Sequence, residues 1–176
     1  MQTLPNDIAY WLAAVRLPYV GPVTLRNWLA HFGDIKTLFS QSAADLLAAG
    51  LTARQINAVK NPSWKAVEND MGWIEKNTCQ LILSSDAAYP SLLREIHDAP
   101  LLLYVQGDAS LLTSPQLAVV GSRNPTVGGV DLAEKFSREL AAAGLVITSG
   151  LALGVDAASH SGALLTGKTI AVLGTG

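Results

Sequence analysis

The hydrophobic pattern of the last third of the chain consists of three short apolar runs, each followed by a glycine. The runs are Leu117–Val120 before Gly121, Leu145–Ser149 before Gly150, and Thr169–Leu173 before Gly174. Helix-like stretches lie between them, near 129–143 and 155–165. Strands that alternate with helices in this way predict a βαβαβ unit with a parallel sheet.

The predicted fold class is therefore α/β, with a Rossmann-like parallel sheet over residues 117–176. Three strands and two helices leave part of one face and one edge of a parallel sheet uncovered, although such sheets are normally covered on both faces. We therefore expect this domain to be incomplete at its C-terminus, with a sheet that continues in a longer protein.

Residues 1–80 have apolar positions at helical spacing, for example Ile8, Trp11, Leu12 and Val15. Short amphipathic stretches separated by tight turns predict a small all-α domain of the SAM-like or helix-hairpin-helix type. Thr52 is a predicted N-cap, and Gly33 is a predicted C-cap. Residues 81–116 are predicted to be a bridging segment, whose strands near 81–84 and 101–105 join the parallel sheet.

Charge and composition limit the classes of function. The 176-residue chain has a net charge of −2, and only 15% of its residues are charged. A strongly basic nucleic-acid-binding domain is excluded, so a site for a polyanion has to be local. The single cysteine, Cys79, cannot form a disulfide within the chain and is interpreted as a buried thiol. No apolar run is long enough to span a membrane, and we expect a cytoplasmic protein with no membrane partner.

The first candidate site is the loop that follows the first parallel strand. Glycine allows a sharp turn, and Arg123 supplies a fork of N–H donors for phosphate. Hydroxyl and amide groups lie beside it, and the next helix would point its positive end at the same place. The candidate residues are Gly121, Ser122, Arg123, Asn124 and Thr126. The alternative is a plain turn in which Arg123 pairs with an acid.

The second candidate site follows the second strand, and its residues are Ser149, Gly150, Gly154, Asp156 and His160. Asp156 and His160 are four residues apart, on one face of a predicted helix. In one interpretation both side chains line a pocket. In the other, Asp156 is a carboxylate of the first helical turn and His160 is its partner, and this second interpretation is favoured for Asp156. Gly174, with Thr175 and Gly176, is a third candidate loop. The second strand lacks a following acid for a ribose, which argues against NAD.

The Gly21 turn between two predicted helices is a fourth candidate, because its N–H groups could bind a DNA phosphate near Thr24 and Arg26. A packing element or a protein-docking surface is the favoured alternative. The histidines are scattered, and no metal-ligand spacing or nucleophile elbow is present. The sequence therefore predicts no catalytic residues, no metal and no cofactor, and a protein that is not an enzyme.

These motifs resemble the DNA-processing protein family known as DprA or Smf. The resemblance rests on Tyr89–Ile96 and Pro100–Asp108, and on the runs Val119–Arg123, Ser149–Ala152, Gly154–Ala158 with His160, and Thr169–Gly174. The helical start resembles the N-terminal domain of that family. The chain departs from the family at Leu153, where Lys or Arg is common, and at Gly128, which an aromatic residue often replaces.

The resemblance implies single-stranded DNA binding during natural transformation and recombination, with delivery of the DNA to the RecA recombinase. It also implies a homodimer of the full-length protein. It assigns DNA contact to Gly121, Ser122, Arg123, Asn124, Thr126, Ser149, Gly150, Gly154, His160 and Gly174.

Two alternatives remain open. One is a nucleotide-binding enzyme of the phosphoribohydrolase (LOG-like) type, with Asp156 as its acid. The other is a protein-docking module in which the helical domain is the working part.

Overall fold

The computed structural model describes residues 7–174, and they divide into two compact units that are described separately. The first unit runs to Ala109 and the second begins at Ser110. Within the described range, no helix has both the length and the apolar character that crossing a membrane would require. Asn6 or Asp7 is predicted to cap the first helix; Asn6 lies outside the described residues, and Asp7 is the N-cap residue without a side-chain cap bond.

Seven helices carry most of the first unit's described residues. They are α1 Ile8–Val15, α2 Pro22–Phe32, α3 Ile35–Ser40, α4 Ala43–Ala48, α5 Ala53–Lys60, α6 Trp64–Lys76 and α7 Ser91–Arg94. Thr52 caps α5, because its hydroxyl accepts from the Gln55 amide while the Gln55 side chain accepts from the Thr52 amide. Gly33 ends α2 with φ +89° and donates to the Leu29 carbonyl. Both predicted caps are confirmed.

The two strands of the bridging segment form a ribbon of their own. Strand β1, Gln80–Leu83, pairs antiparallel with β2, Leu102–Val105. The ribbon packs on the helices, because Cys79 and Leu102 are buried in one cluster with Leu12 of α1. The prediction that these strands join the parallel sheet is wrong for the described residues, where they form a separate two-stranded sheet. Leu102 is buried, and Leu81 and Leu83 are half-buried, in a cluster with helices of the first unit.

The second unit has the predicted βαβαβ order. A short 3-10 helix, Ala109–Thr113, leads into β3 Gln116–Ala118, α8 Val127–Ala142, β4 Val146–Gly150, α9 Val155–Leu164 and β5 Thr169–Val172. The three strands are parallel in the order β3-β4-β5, with Leu117 beside Ile147 and Thr148 beside Ile170. The parallel α/β fold is confirmed, with strand and helix ends within a few residues of the prediction.

The two helices of this unit pack closely against each other. A Cβ built on Gly162 of α9 would lie 2.0 Å from the Glu134 carbonyl oxygen of α8, so only glycine permits this approach. Ala141 of α8, Ala163 of α9 and Ile147 of β4 share one buried cluster. Both helices therefore cover the face of the sheet that Ile147 presents, and they fix where the loops between strands and helices lie.

Candidate nucleic-acid interface at the strand ends

The loops after the parallel strands meet at one edge of the sheet. Residues 119–126 connect β3 to α8, residues 151–154 connect β4 to α9, and Gly174 is the second residue after β5. Because the strands are parallel and adjacent, their carboxyl ends lie side by side, where α/β proteins bind ligands. The other two residues of the third predicted loop, Thr175 and Gly176, lie outside the described residues.

The first two loops are in direct contact through their backbones. The amide of Val155 donates to the Ser122 carbonyl at 3.1 Å. Gly154 has φ +87°, and a Cβ built there would lie 2.3 Å from the Ser122 oxygen and 2.7 Å from the Arg123 oxygen. Gly121 is crowded in turn by the Val155 side chain, at 2.8 Å from a built Cβ. The two glycines therefore let the loops form one continuous surface.

Arg123 is the exposed cation of this surface. Its guanidinium makes no ion pair and no hydrogen bond with the residues that the structure describes. The plain-turn alternative, in which an acid neutralises Arg123, finds no support there. The backbone amides of Ser122 and Arg123 also have no acceptor among residues 7–174. The loop therefore combines a guanidinium fork with N–H groups that can donate to an anion.

Two helices begin at the same edge. The Thr126 hydroxyl accepts from the Gly129 amide and caps α8, and α9 begins after Gly154 without a side-chain cap. The first amides of a helix have no partner inside the helix and carry a partial positive charge. The starts of both helices therefore add partial positive charge at this edge, and the Asp156 carboxylate in the first turn of α9 offsets part of it.

Other candidate residues shape these loops. The Ser122 hydroxyl accepts from the Asn124 amide at 3.0 Å and keeps its own O–H for donation. Asp156 lies in the first turn of α9, and its carboxylate accepts from the Ala152 amide at 3.4 Å. A Cβ on Gly150 would lie 2.7 Å from that carboxylate. This placement agrees with the reading of Asp156 as a helix-start carboxylate.

Two of the candidate side chains are buried and form hydrogen bonds in the interior of the second unit. Ser149 is buried, and its hydroxyl donates to the Val119 carbonyl at 2.6 Å. His160 is buried, and its Nδ1 lies 2.7 Å from the hydroxyl of Thr169, the first residue of β5. Since Thr169 donates its proton to the Ile147 carbonyl, it accepts from His160. The prediction that the His160 side chain lines the strand-end pocket is therefore wrong, and Asp156 is not its partner.

The apolar part of this edge was not among the predicted site residues. Large aliphatic side chains beside the loops are mostly exposed, namely Val120, Val127, Leu151, Leu153 and Leu173. Their position next to glycine turns was a usable signal, because apolar residues at strand ends are normally buried by the following helix. This edge of the sheet therefore exposes apolar side chains as well as the Arg123 guanidinium.

Comparison with known proteins gives a consistent set of relatives. The family model of DNA recombination-mediator protein A matches residues 80–176. Protein Smf of Escherichia coli K12 is 37% identical over 155 residues, which are 88% of this chain and 40% of that protein. DNA processing protein DprA of Streptococcus pneumoniae is 51% identical over 92 residues, which are 52% of this chain and 32% of that protein.

A solved structure matches nearly the whole chain. The X-ray structure of DNA processing protein A from Streptococcus pneumoniae has a TM-score of 0.68 and 30% identity, covering 99% of this chain and 59% of that one. The chain thus spans less than half the length of the curated relatives and about three fifths of the solved structure. The likeness includes both the helical unit and the parallel sheet.

Proposed function

We propose that the strand-end loops of this chain, which belongs to the family of DNA recombination-mediator protein A, bind single-stranded DNA. The observation that carries the proposal is the exposed Arg123 guanidinium and the Ser122 and Arg123 amides, none of which has a hydrogen-bond partner within residues 7–174. A guanidinium and main-chain N–H groups recognise phosphate oxygens regardless of base sequence. The names of the relatives, which are DNA-processing proteins, support this ligand.

The proposal favours single strands over duplex for a physical reason. The strand-end loops carry a single arginine, Arg123, and the aliphatic side chains of Val120, Leu151 and Leu153 in the same loops are exposed. A single strand can turn its unstacked bases onto apolar surface, whereas a duplex keeps its bases stacked inside. Non-specific duplex binding normally needs many phosphate contacts, and this edge offers few.

The test replaces Arg123 by Ala and measures binding of a dye-labelled single-stranded oligonucleotide by fluorescence anisotropy at several salt concentrations. A hydrogen-bonded charge contributes about 1.5–3 kcal/mol, so we expect roughly ten-fold weaker binding or more. The salt slope should also fall by about one unit. Arg138→Ala is the matched control, since the half-exposed guanidinium of Arg138 in α8 bonds only Glu139 among the described residues. Unchanged isotherms for Arg123→Ala would contradict the assignment.

We further propose two protein partners, the RecA recombinase and a second copy of the chain. Membership of the family supports both, and the exposed apolar side chains of the second unit offer area for contact. RecA loading is tested by strand exchange on DNA coated with single-strand-binding protein, with and without the complete chain. An absence of stimulation would argue against loading. Sedimentation velocity over a concentration series tests self-association, and a constant sedimentation coefficient of the monomer would exclude it.

A further inference from the structure

The first unit contains a cavity of about 500 Å³ that the strand-end loops do not explain. Ala13 of α1 and residues 16–19 of the turn that follows it form one wall, and α5 with the residues up to Ser63 forms the other. Cavities of several hundred Å³ are of the size that holds a nucleotide-sized ligand. Acidic residues outnumber basic ones in this unit, yet the described residues that line the cavity include two arginines and no acid.

Tyr19 stands at the mouth of this cavity in an unusual backbone conformation. Its φ is +65°, a left-handed value that bulky side chains rarely adopt, and its side chain is 73% exposed. Glycine would occupy this position without strain. An exposed aromatic side chain on a strained backbone contributes little to the stability of the fold. Residues with such strained backbone conformations are concentrated at binding sites.

The Arg54 guanidinium of α5 lies over the Tyr19 ring. Its carbon atom lies 5.9 Å from the centroid of the Tyr19 ring, within the range of a cation–π contact. Arg54 is exposed, and none of the described residues accepts a hydrogen bond from it or forms an ion pair with it. Arg16, the other arginine, is paired with Asp70. Arg54 is therefore the cation here that remains available to an anion.

Two amide side chains complete the cavity wall. Asn57 follows Arg54 by one helical turn, and Asn61 follows one turn later. The Asn61 amide nitrogen donates to the Asn57 side-chain oxygen at 2.9 Å, which leaves the Asn57 nitrogen and the Asn61 oxygen for other partners. A planar aromatic ring can stack on a base, and a guanidinium can bind a neighbouring phosphate. The remaining amide atoms of Asn57 and Asn61 can form hydrogen bonds with the edge of the base.

We propose that this cavity is a second contact for single-stranded DNA, in which a base stacks on Tyr19 and a neighbouring phosphate meets Arg54. The inference rests on the proposed function for the identity of its ligand. It differs from a phosphate contact at the Gly21 turn, because the ring and the α5 guanidinium provide the contact.

The experiment compares variants of the complete chain in anisotropy titrations with a dye-labelled oligothymidine. Tyr19→Gly removes the ring and also relieves the backbone strain, so its thermal midpoint should equal or exceed that of the unmodified chain. Its DNA affinity should fall about five-fold or more, the lower range of a lost stacking contact. Tyr19→Phe keeps the ring and should bind within about two-fold. Equal binding by the chain and by Tyr19→Gly would overturn the proposal.

Arg54→Gln should weaken binding and reduce the salt slope by about one unit. Lys65→Gln is its matched control, because Lys65 is an exposed cation of the same unit that pairs with Glu68 and does not line the cavity. Photocrosslinking with an oligonucleotide that carries 5-iodouracil, followed by peptide mapping, should label the 17–26 segment. Equal losses for Arg54→Gln and Lys65→Gln, with no label in this segment, would refute the site.

The same titrations separate this inference from the proposed function. If Arg123→Ala weakens binding while Tyr19→Gly and Arg54→Gln do not, the cavity is refuted and the strand-end site stands. If the cavity variants weaken binding and Arg123→Ala does not, the strand-end assignment fails and the cavity is supported. If the complete chain binds no single-stranded DNA, both proposals fall.

Discussion

The Cα of Gly154 faces the carbonyl oxygen of Ser122 so closely that a Cβ would lie 2.3 Å from it. Gly154→Ala should therefore push the two strand-end loops apart, and its φ of +87° adds strain for any side chain. We expect a loss of about 1–3 kcal/mol of unfolding free energy, measured by urea denaturation. Single-stranded DNA affinity should fall with it, since the Arg123 loop is displaced.

Gly128→Ala is the matched control for this substitution. Gly128 lies in the first turn of α8, has no positive φ, and a Cβ built on it meets nothing within 4 Å. Alanine favours the helix over glycine by up to about 1 kcal/mol, so this variant should be as stable as the chain or more so. If Gly154→Ala behaved like Gly128→Ala, the close contact between the loops would not exist in solution.

The packing of α8 against α9 depends on Gly162. A Cβ there would lie 2.0 Å from the Glu134 carbonyl oxygen, which is backbone and cannot move aside as a side chain can. Gly162→Ala should cost about 1–3 kcal/mol or more, through a forced separation of the helices. Gly72→Ala in α6 is the comparison, because nothing lies within 4 Å of its Cβ position. Calorimetric unfolding of both variants checks the prediction, and equal midpoints would contradict it.

Much of this architecture follows from local sequence. Apolar runs ending at glycine predicted β3, β4 and β5, because a buried parallel strand needs a continuous apolar run and its following loop needs a sharp turn. Thr52 and Gly33 were predictable for the same reason, since capping depends on a few adjacent residues. The pairing of β1 with β2 was not predictable, because it depends on which distant helices bury Cys79 and Leu102.

The candidate site was predictable in part. Glycines and Arg123 at a strand end indicated the loops, since the parallel topology brings strand ends together without further information. The burial of His160 was not predictable, because its partner Thr169 belongs to a different element, β5, and the packing of α9 on β5 brings the two together. Tyr19 was also missed as a site residue. Its significance depends on a φ value and on the position of Arg54, and neither can be read from spacing.

The two N-caps at the ends of the 52–63 segment should differ in strength. Thr52 makes both hydrogen bonds of a capping box with Gln55, whereas Ser63 precedes α6 without a side-chain cap bond. Thr52→Ala should lower the unfolding free energy by about 1 kcal/mol, since it leaves an amide of the first turn without its acceptor. Ser63→Ala should change it by a few tenths at most. Urea denaturation of the pair measures the difference, and equal losses would contradict it.

Tyr89 links the stability of the first unit to alkaline pH. Its side chain is buried, and its hydroxyl donates to the Pro100 carbonyl at 2.7 Å. Burial raises the pKa of Tyr89 above its ordinary value of 10.0, and the positive charges of Arg26 and Arg94 oppose that rise only in part. The folded protein therefore keeps the phenol protonated where the unfolded chain ionises it. The stability that Tyr89 contributes is complete below pH 10 and is lost as the pH rises through the folded pKa.

Tyr89→Phe removes both the hydrogen bond and this titration. At pH 7 the variant should be about 1 kcal/mol less stable, which is the contribution of one buried hydrogen bond. As the pH rises above the ordinary tyrosine pKa, only the unmodified chain loses this contribution, so the gap between the two should narrow. Urea denaturation of both proteins at pH 7 and at about pH 10.5 measures the gap. A gap that stays constant would mean that the phenol ionises equally in the folded and unfolded states, contrary to its burial here.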